Sequence, residues 1–294
     1  MKNIFTINLN NRGVRYELEE PIVRVQTDSN VAEMQEVKSA EIEAFQGVEY
    51  KDILTKLSQL KILNSLSSIC FIFLLFCPIK PALILLPIIG LVLKVLIYTT
   101  WRVSLIYNFQ DGYETAYKNR VDVWLRLNKS KELMQKVQSG KVKNTKLTAG
   151  MSESFKWEKI KISSGKPAYI HTNVKVVRIN LKRETLYILP DKILIEKNGK
   201  LGAVDYRKTR IDVSRDEVKN GDCHIPSDTS VSRYSWQYVN RDGSPDKRFK
   251  DNKKIPICWY GGIYIQSPEG LNVKIFVSNV NLAMELEMAM LQEY

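Results

Sequence analysis

The chain has 294 residues, 44% of them hydrophobic and 26% charged, and a formal net charge of +12. This length is enough to bury the core of one large domain or of two modest domains. The four cysteines have neither the spacing of a disulfide framework nor that of a zinc knuckle, which argues against a disulfide-stapled secreted scaffold and indicates a reducing compartment. The first residues alternate apolar and polar, so we expect no secretory signal peptide.

The N-terminal part, residues 1–59, is predicted to contain a small β-meander and two helices. Apolar and polar residues alternate over residues 1–27, and Asn11-Arg12-Gly13 provides a turn. A helix is predicted from Ser29 or Asn30, which can cap it, to Phe45, and a second helix from Tyr50 onward.

Residues 60–102 contain two apolar runs that predict a transmembrane helical hairpin. The runs are 62–79 and 81–100, and the intervening Pro78-Ile79-Lys80-Pro81 predicts a helix-breaking turn. Basic residues flank the pair and only Lys80 lies in the turn, which predicts that both termini are cytoplasmic. The alternative is a hairpin buried in a protein core. An interfacial aromatic belt is expected from Tyr98, Trp101 and Tyr107.

Four polar residues inside the apolar runs are candidates for a role in the membrane. Lys94 either extends its side chain toward the interface or lines a polar path when several hairpins form a homo-oligomer. Asn64, Ser67 and Ser68 are candidates for hydrogen bonds between helices in the same assembly. These features make the hairpin marginal, which favours conditional insertion or an oligomeric pore.

A cytosolic helix is predicted over 112–138, within a segment 103–139, and a basic linker over 140–150. The remaining residues, 151–294, predict a basic, β-rich domain that ends in a helix over 281–293. The predicted strands are 155–162, 168–172, 174–181, 185–189, 192–197, 199–206, 209–213, 230–238, 255–260, 262–266 and 272–277. Strands followed by one helix resemble a pleckstrin-homology-like barrel. The expected fold class is therefore an α+β membrane protein.

The charge is distributed unequally along the chain. Residues 1–110 have a net charge of +1 and residues 111–294 one of +11. The usual partners of a basic domain beside a bilayer are anionic lipid headgroups and nucleic acid. A solvated surface with excess lysine explains the same composition.

The segment 234–254 combines aromatic and basic residues. Tyr234, Trp236 and Tyr238 alternate, so on a strand their side chains share one face. A basic loop follows, and a surface of this kind can stack bases and hold phosphates. A strand with a solvated loop is the alternative, and lipid headgroups are a third possibility. The basic residues of the candidate partner-binding site are Arg241, Lys247, Arg248, Lys250, Lys253 and Lys254.

Motifs of catalysis are scarce, and we predict that the protein is not an enzyme and needs no cofactor or metal. The sequence has no GxGxxG, HExxH or GxSxG motif and no phosphate-binding GxxxxGKS or GxxxxGKT. His171 and His224 are expected to be surface or packing residues. Pro190-Asp191 and Glu217-Val218-Lys219 are the closest match to the metal-binding pattern of a nuclease, which remains an alternative.

Two stretches resemble a bacterial domain of unknown function that occurs in membrane-linked or defence-linked proteins. They are Tyr187–Leu194 with Gly202–Tyr206, and Trp236–Phe249. The whole arrangement also resembles the transmembrane effectors of bacterial anti-phage systems, including retron-associated ones. That resemblance implies an effector held inactive by a ribonucleoprotein, a reverse transcriptase–nucleic acid complex, and released to damage the inner membrane.

These observations lead to one expected function and two alternatives. We expect a bacterial inner-membrane effector that depolarises or permeabilises the bilayer, while its basic domain docks a regulatory nucleic acid or ribonucleoprotein. The first alternative is a non-toxic membrane-anchored scaffold that binds lipid or protein. The second alternative is the metal-dependent nuclease.

Overall fold

The computed structural model describes residues 3–8, 24–25, 34–47, 50–76, 81–109, 112–219 and 225–291. Its helices are α1 (Lys51–Cys70), α2 (Leu85–Leu96), α3 (Tyr113–Leu127) and α4 (Val280–Leu291). Its strands are β1 (Asn3–Asn8), β2 (Arg24–Val25), β3 (Met34–Glu36), β4 (Val103–Asn108), β5 (Leu133–Lys141), β6 (Glu153–Lys159), β7 (Lys161–Ser164), β8 (Ile170–Thr172), β9 (Val177–Asn180), β10 (Glu184–Ile188), β11 (Lys192–Lys197), β12 (Lys200–Asp205), β13 (Arg210–Lys219), β14 (Val231–Trp236), β15 (Lys254–Gln266) and β16 (Asn272–Val277).

Within the described residues the strands form three sheets. A parallel three-stranded sheet has the order β1-β4-β8, and an antiparallel five-stranded sheet has the order β12-β11-β10-β9-β7. The third sheet has eight strands, in the order β13-β15-β16-β5-β3-β2, with β14 paired to β15 and β6 paired to β5. The architecture is α+β and mostly sheet.

The predicted N-terminal β-meander is wrong. β1 pairs in parallel with β4, about a hundred residues away, whereas β2 pairs with β3 in the eight-stranded sheet. Consecutive strands of a meander must pair with each other, and these two lie in different sheets. Residues 9–23, the middle of the predicted meander, lie outside the described residues. Parts of the helix predicted to end at Phe45 are instead β3 and the 3-10 turn Ile42–Phe45.

The five-stranded sheet contains the most accurate strand predictions. β11 has the predicted bounds, and its hairpin turn to β12 occurs at Asn198-Gly199, where φ is 51° and 75°. Left-handed backbone at both positions is what a two-residue turn requires, and Asn and Gly tolerate it best. Ile193 and Ile195 face one hydrophobic cluster while Leu194 faces another. The sheet is therefore buried on both faces.

The eight-stranded sheet corrects two further predictions. The helix expected over 112–138 ends at Leu127, and residues 133–141 form β5, which pairs with β6, β16 and β3. Pairing partners far along the chain outweigh the local helical pattern in this segment. The strands predicted at 255–260 and 262–266 are one continuous strand, β15. Three separate sheets, one of them parallel, also rule out the pleckstrin-homology-like barrel.

Two large hydrophobic clusters hold the sheets and helices together. The first lies between the five-stranded sheet, the eight-stranded sheet, α3 and α4, with Trp124, Ile195 and Ile263 fully buried. The second lies on the opposite face of the five-stranded sheet, against the parallel sheet and the beginning of α1. Segments on either side of the predicted domain boundaries pack into the same clusters. The boundaries themselves remain predictions.

The predicted two-helix transmembrane hairpin is wrong. Among the described residues, only the helix Lys51–Leu75 is long and apolar enough to be a candidate membrane span, by length and composition. The second apolar helix, Leu85–Trp101, is shorter than the span criterion requires. The sequence-based span ended at Thr100, but the fold uses Ile97 in the protein core, where it is fully buried. A helix cannot place the same residues in the core and in the bilayer.

An ion pair between β3 and the turn before β10 makes folding stability depend on pH. Two nitrogens of Arg183 donate to Glu36 at 2.9 and 2.7 Å, and this bonding lowers the pKa of Glu36 to about 2. A carboxyl with a lowered pKa stabilises the fold above its unfolded pKa and loses that contribution as the pH falls through its folded pKa. The contribution is therefore lost between about pH 4.5 and pH 2.

We expect Arg183→Gln to lower the free energy of unfolding at pH 7 by about 1 kcal/mol or less, because half-exposed ion pairs are screened by water. The difference in the free energy of unfolding between this variant and wild type should shrink as the pH approaches 2. Urea unfolding at pH 7 and pH 2.5 measures it. Arg178→Gln is the control, since Arg178 donates to the uncharged Asn180 at 2.8 Å. Equal pH dependence of the two differences would contradict the assignment.

Candidate functional site

The apolar hairpin is the most unusual feature of the fold. We use this name for α1, the 3-10 turns Phe71–Phe76 and Pro81–Ile84, α2 and the π-helical turn Ile97–Trp101 that continues α2; residues 77–80, with most of the predicted turn, lie outside the described residues. The helices pack antiparallel, and the Oγ of Ser67 donates to the carbonyl of Gly90 at 2.9 Å. A Cβ added to Gly90 would lie 2.8 Å from the backbone oxygen of Ser67 and 2.8 Å from the Cβ of Cys70. The glycine therefore permits the close approach.

The outer surface of the apolar hairpin is covered with exposed hydrophobic side chains. Of the 20 large hydrophobic residues that are exposed in the described part of the chain, 14 lie on this hairpin. They are Ile62, Leu66, Ile69, Ile72, Leu74, Leu75, Ile84, Leu85, Ile88, Ile89, Leu91, Val92, Val95 and Tyr98. Contiguous apolar surface of this extent marks a contact with a membrane or another protein.

The base of the apolar hairpin is fixed to the five-stranded sheet. Leu57, Leu60 and Ile97 are buried in the second cluster, and Lys61 donates to Glu196 at 2.8 Å and to the carbonyl of Gly199 at 2.6 Å. The free part of the first helix thus runs over 62–76. Nine α-helical residues and six 3-10 residues, with rises of about 1.5 and about 2.0 Å, extend about 25 Å, which is shorter than the hydrocarbon core of a bilayer, about 30 Å.

Lys94 lies near the base rather than near the tip. It lies three positions before the buried Ile97, so its Cα is only about 5 Å farther from the base along the helix. Its Nζ lies 5.0 Å from the ring centre of Phe71 on the facing helix. Phe71 lies on the tip side of Ser67, so the ammonium is directed toward the tip and not toward the base, and both interpretations of Lys94 remain predictions.

The three other polar candidates have different partners. Ser67 makes a bond between helices, but within one hairpin, and Ser68 donates to the carbonyl of Asn64 on its own helix at 2.9 Å. The Oδ1 of Asn64 is buried and has no hydrogen-bond partner in the described part of the chain. Asn64 lies one turn before Ser67 and Lys94 one turn after Gly90. The antiparallel packing therefore places Asn64 and Lys94 at the same level.

An aromatic group surrounds the base, but its members differ from the prediction. Tyr98 is 53% exposed, and its ring centre lies 5.7 Å from that of Tyr169, while Trp101 is half-buried. Tyr107 is 2% exposed and donates to Asp191 at 2.6 Å, so it does not belong to an interfacial belt. Burial and the neighbouring Asp191 raise its pKa. The sequence did not indicate Tyr169 as a member of this aromatic group, because it lies in a loop and its proximity to Tyr98 depends on the pairing of β4 with β8.

The segment 234–254 only partly fulfils its prediction. Tyr234 is exposed, with the Nζ of Lys254 5.0 Å from its ring centre, and Trp236 is half-buried on the same strand. Strand β14 ends at Trp236, and Tyr238 instead stacks on Phe249 with 3.9 Å between ring centres. The three aromatic residues therefore do not form one binding face.

Hydrogen bonds order the basic loop. Arg248 pairs with Asp246, the shortest contact being 2.6 Å, and this bonding lowers the pKa of Asp246 to about 2. Asn252 accepts from the backbone of Tyr238 at 2.9 Å and donates to its carbonyl at 2.7 Å. Arg248 is thus engaged within the loop. Its side chain is still 76% exposed, and the other exposed basic residues of the loop are Arg241, Lys247, Lys250, Lys253 and Lys254.

The predicted linker packs against this loop. The amide of Val239 donates to the carbonyl of Lys146 at 2.8 Å, and the Oγ of Ser235 donates to that of Ala149 at 2.9 Å. Residues 141–150 and 234–254 together contain nine basic and three acidic residues. We call these two segments the basic patch. The sequence indicated both segments as basic but not that they meet.

The residues of the nuclease pattern are not brought together. Asp191 contacts Tyr107 and forms an ion pair with Lys192 at 2.7 Å, whereas Glu217 lies on β13 and contacts Ser232 and Arg233. In the described residues no group of three or more His, Cys, Asp or Glu side chains is placed to hold a metal ion. His171 is half-buried, and His224 lies outside the described residues.

A cleft of about 530 Å³ opens at the carboxyl ends of β4 and β8. Phe109 and Tyr117 line it with ring centres 5.8 Å apart, and Asn173 binds the backbone of Tyr107 through both its amide atoms. The side-chain amide of Asn173 therefore holds β4 to the loop that follows β8. The cleft adjoins residues 110–111, which lie outside the described part of the chain. It carries no assignment of a ligand.

Comparisons with known proteins identify no relative of this chain. No protein-family model, no curated protein and no solved structure matches the chain. The resemblance to a bacterial domain of unknown function and to anti-phage effectors therefore stays a prediction.

Proposed function

We propose that the protein is a membrane effector whose apolar hairpin enters the bilayer from one side without crossing it. The observation that carries this proposal is that 14 of the 20 large hydrophobic residues exposed in the described part of the chain lie on that hairpin. Exposing this surface to water is unfavourable by about 25 cal/mol for each Å². A bilayer removes the cost, and its thickness exceeds the free length of the hairpin.

Entry from one side keeps the rest of the chain on one face of the membrane. The two strands that flank the hairpin in the fold, β12 and β4, contact the first turns of α1, so both ends of the hairpin return to the same body. Following the prediction from the basic residues, we place this body at the cytoplasmic face of a bacterial inner membrane. Both termini are then cytoplasmic.

The action on the membrane is proposed to require several copies. A hairpin that enters from one side displaces more lipid from that leaflet than from the opposite one, and this asymmetry strains the bilayer. Asn64 has a buried oxygen without a partner in the described residues, and hydrogen bonds between hairpins would satisfy it. Asn64 and Lys94, at one level, would then be the polar residues of a homo-oligomer that admits water and ions.

Membrane potential in cells tests this function. We expect induced wild-type protein to depolarise bacteria, as reported by a voltage-sensitive dye, and Lys94→Leu to depolarise them less at equal membrane content. The reason is that leucine removes the positive charge that Lys94 places beside Asn64 in the proposed homo-oligomer. Normal potential and growth with abundant wild-type protein in the membrane would refute the effector and favour the non-toxic scaffold.

A second proposed function, docking of a regulatory nucleic acid or ribonucleoprotein, concerns the basic patch. Its support is the exposed Tyr234 ring beside Lys254, together with the excess of six positive charges over the two segments. Base stacking on an aromatic ring contributes about 1–3 kcal/mol for each base. We therefore propose that single-stranded nucleic acid docks here, with one base on Tyr234.

Fluorescence anisotropy with a labelled single-stranded oligonucleotide tests the docking. We expect Tyr234→Ala to weaken binding at least five-fold, from the lower end of the stacking energy. Lys143→Gln with Lys146→Gln should reduce the slope of log K against log salt by about 1.4. The matched pair Lys129→Gln with Lys131→Gln, exposed and outside the patch, should not change it. Equal effects of the two pairs would show a response to net charge alone.

A further inference from the structure

Two basic side chains and one histidine lie at the base of the apolar hairpin, on and beside the strands β4 and β8. β4 and β8 pair in parallel, with Val103 opposite Ile170 and Ser104 opposite His171. Val103 and Ile170 are buried in the second cluster. Because successive side chains of a strand point to opposite faces, Arg102 and His171 lie together on the other face.

Lys166, in the loop before β8, completes this cluster. The positive charges of Arg102 and Lys166 act on His171, and they lower its pKa together with burial, which has the larger effect. Within the described residues, no ion pair engages any of the three side chains. Arg102 and Lys166 are thus two cations beside an imidazole whose lowered pKa favours its neutral form, and such a group of hydrogen-bond donors can bind an anion.

The position of the cluster indicates which anion. Arg102 directly follows the half-buried Trp101, and the Tyr98–Tyr169 ring pair lies on the same two segments, where the apolar hairpin leaves the body. Tyrosine and tryptophan favour the headgroup level of a bilayer. When the hairpin is embedded, the cluster lies at the level of the lipid phosphates.

We propose that Arg102, Lys166 and His171 bind the phosphate of an anionic phospholipid headgroup. This inference rests on the proposed function of the apolar hairpin and names the lipid class that it prefers. A guanidinium presents paired donors that match the oxygens of a phosphate, and a lysine adds a point charge. The bound phosphate holds the hairpin base against the headgroups, and the acyl chains lie along its apolar surface.

Co-flotation of the full-length chain with vesicles tests the site. We compare phosphatidylcholine vesicles with an equal mixture of phosphatidylcholine and phosphatidylglycerol. Wild type is expected to favour the anionic vesicles. Arg102→Gln with Lys166→Gln should lose about 30-fold of that preference, since each basic residue at an anionic surface contributes about five-fold. Binding to phosphatidylcholine alone should remain, because the apolar hairpin is unchanged.

The control removes two charges elsewhere. Lys129→Gln with Lys131→Gln changes exposed residues outside both this cluster and the basic patch and should keep the preference. An equal loss in both pairs, or no loss in the first pair, would overturn the site. Competition by millimolar inorganic phosphate would identify free phosphate as the ligand and overturn the lipid assignment. Absence of wild type from both kinds of vesicle would refute the proposed function itself, so the two failures are distinguishable.

Discussion

Replacing Leu75 with aspartate is expected to abolish most membrane association of the protein. Leu75 lies near the tip of the apolar hairpin and is 77% exposed, so the change leaves the packing of the fold intact. A carboxylate within the hydrocarbon region costs at least about 2.5 kcal/mol. The membrane-bound fraction should therefore fall about 70-fold relative to the free protein, as measured by vesicle co-flotation or by fractionation of cells.

Met288→Asp is the matched control for this prediction. Met288 is 56% exposed on α4, outside the apolar hairpin, so the substitution introduces the same charge at a comparably exposed apolar position. We expect its membrane association to equal that of wild type. If both variants dissociate equally, general charge and not insertion of the hairpin governs binding. Full retention of Leu75→Asp would show that the tip stays out of the hydrocarbon.

The second large effect is expected from Asp191→Ala, on stability. Asp191 pairs with Lys192, whose side chain is only 3% exposed, and accepts a hydrogen bond from the buried Tyr107. Removing the carboxylate leaves a buried ammonium and a buried hydroxyl without this partner. The free energy of unfolding should fall by about 3 kcal/mol. Urea unfolding followed by tryptophan fluorescence measures the change.

A double variant separates the cause from a general loss of packing. In Asp191→Ala with Lys192→Met the buried charge is gone, and a side chain of similar shape lies against the ring of Tyr50, which Lys192 faces at 4.8 Å. We expect it to recover more than half of the lost stability. A double variant as unstable as the sum of the single ones would show no coupling between the two residues. The nuclease alternative instead requires Asp191→Ala to abolish metal-dependent cleavage while the fold survives.

The candidate membrane site was predictable where its chemistry is local. The apolar runs at 62–79 and 81–100 are properties of consecutive residues, and the exposed surface of the hairpin does lie within them. Which of their residues pack into the core was not predictable, because the burial of Ile97 depends on distant contacts from β4, β8 and the five-stranded sheet. The difference decides whether the hairpin is long enough to cross a bilayer.

The basic patch shows the same division. The sequence identified Tyr234, the basic loop and the basic segment 140–150 separately. Contacts between residues about ninety positions apart bring the two segments together, such as Val239 with Lys146. The stacking of Tyr238 on Phe249 also depends on the loop conformation and removes one residue from the predicted aromatic face.

The sequence by itself determined the features that depend on neighbouring residues. These are the apolar character of the hairpin, the basic excess after residue 110, the strands β11 and β16 and the Asn198-Gly199 turn between β11 and β12. Alternation, turn preference and hydrophobic runs act over a few residues, so they can be recognised without a structure.

Only the tertiary structure decided the pairing of β1 with β4, the strand β5 in place of a predicted helix, and the β4–β8 pairing that places Arg102 near His171 at the hairpin base. Each of these depends on partners distant in sequence, because hydrogen bonding between strands and burial of side chains are satisfied in space. The same residues can complete a helix, a strand or a membrane segment locally. The partner that buries more apolar surface and satisfies more backbone groups selects among them.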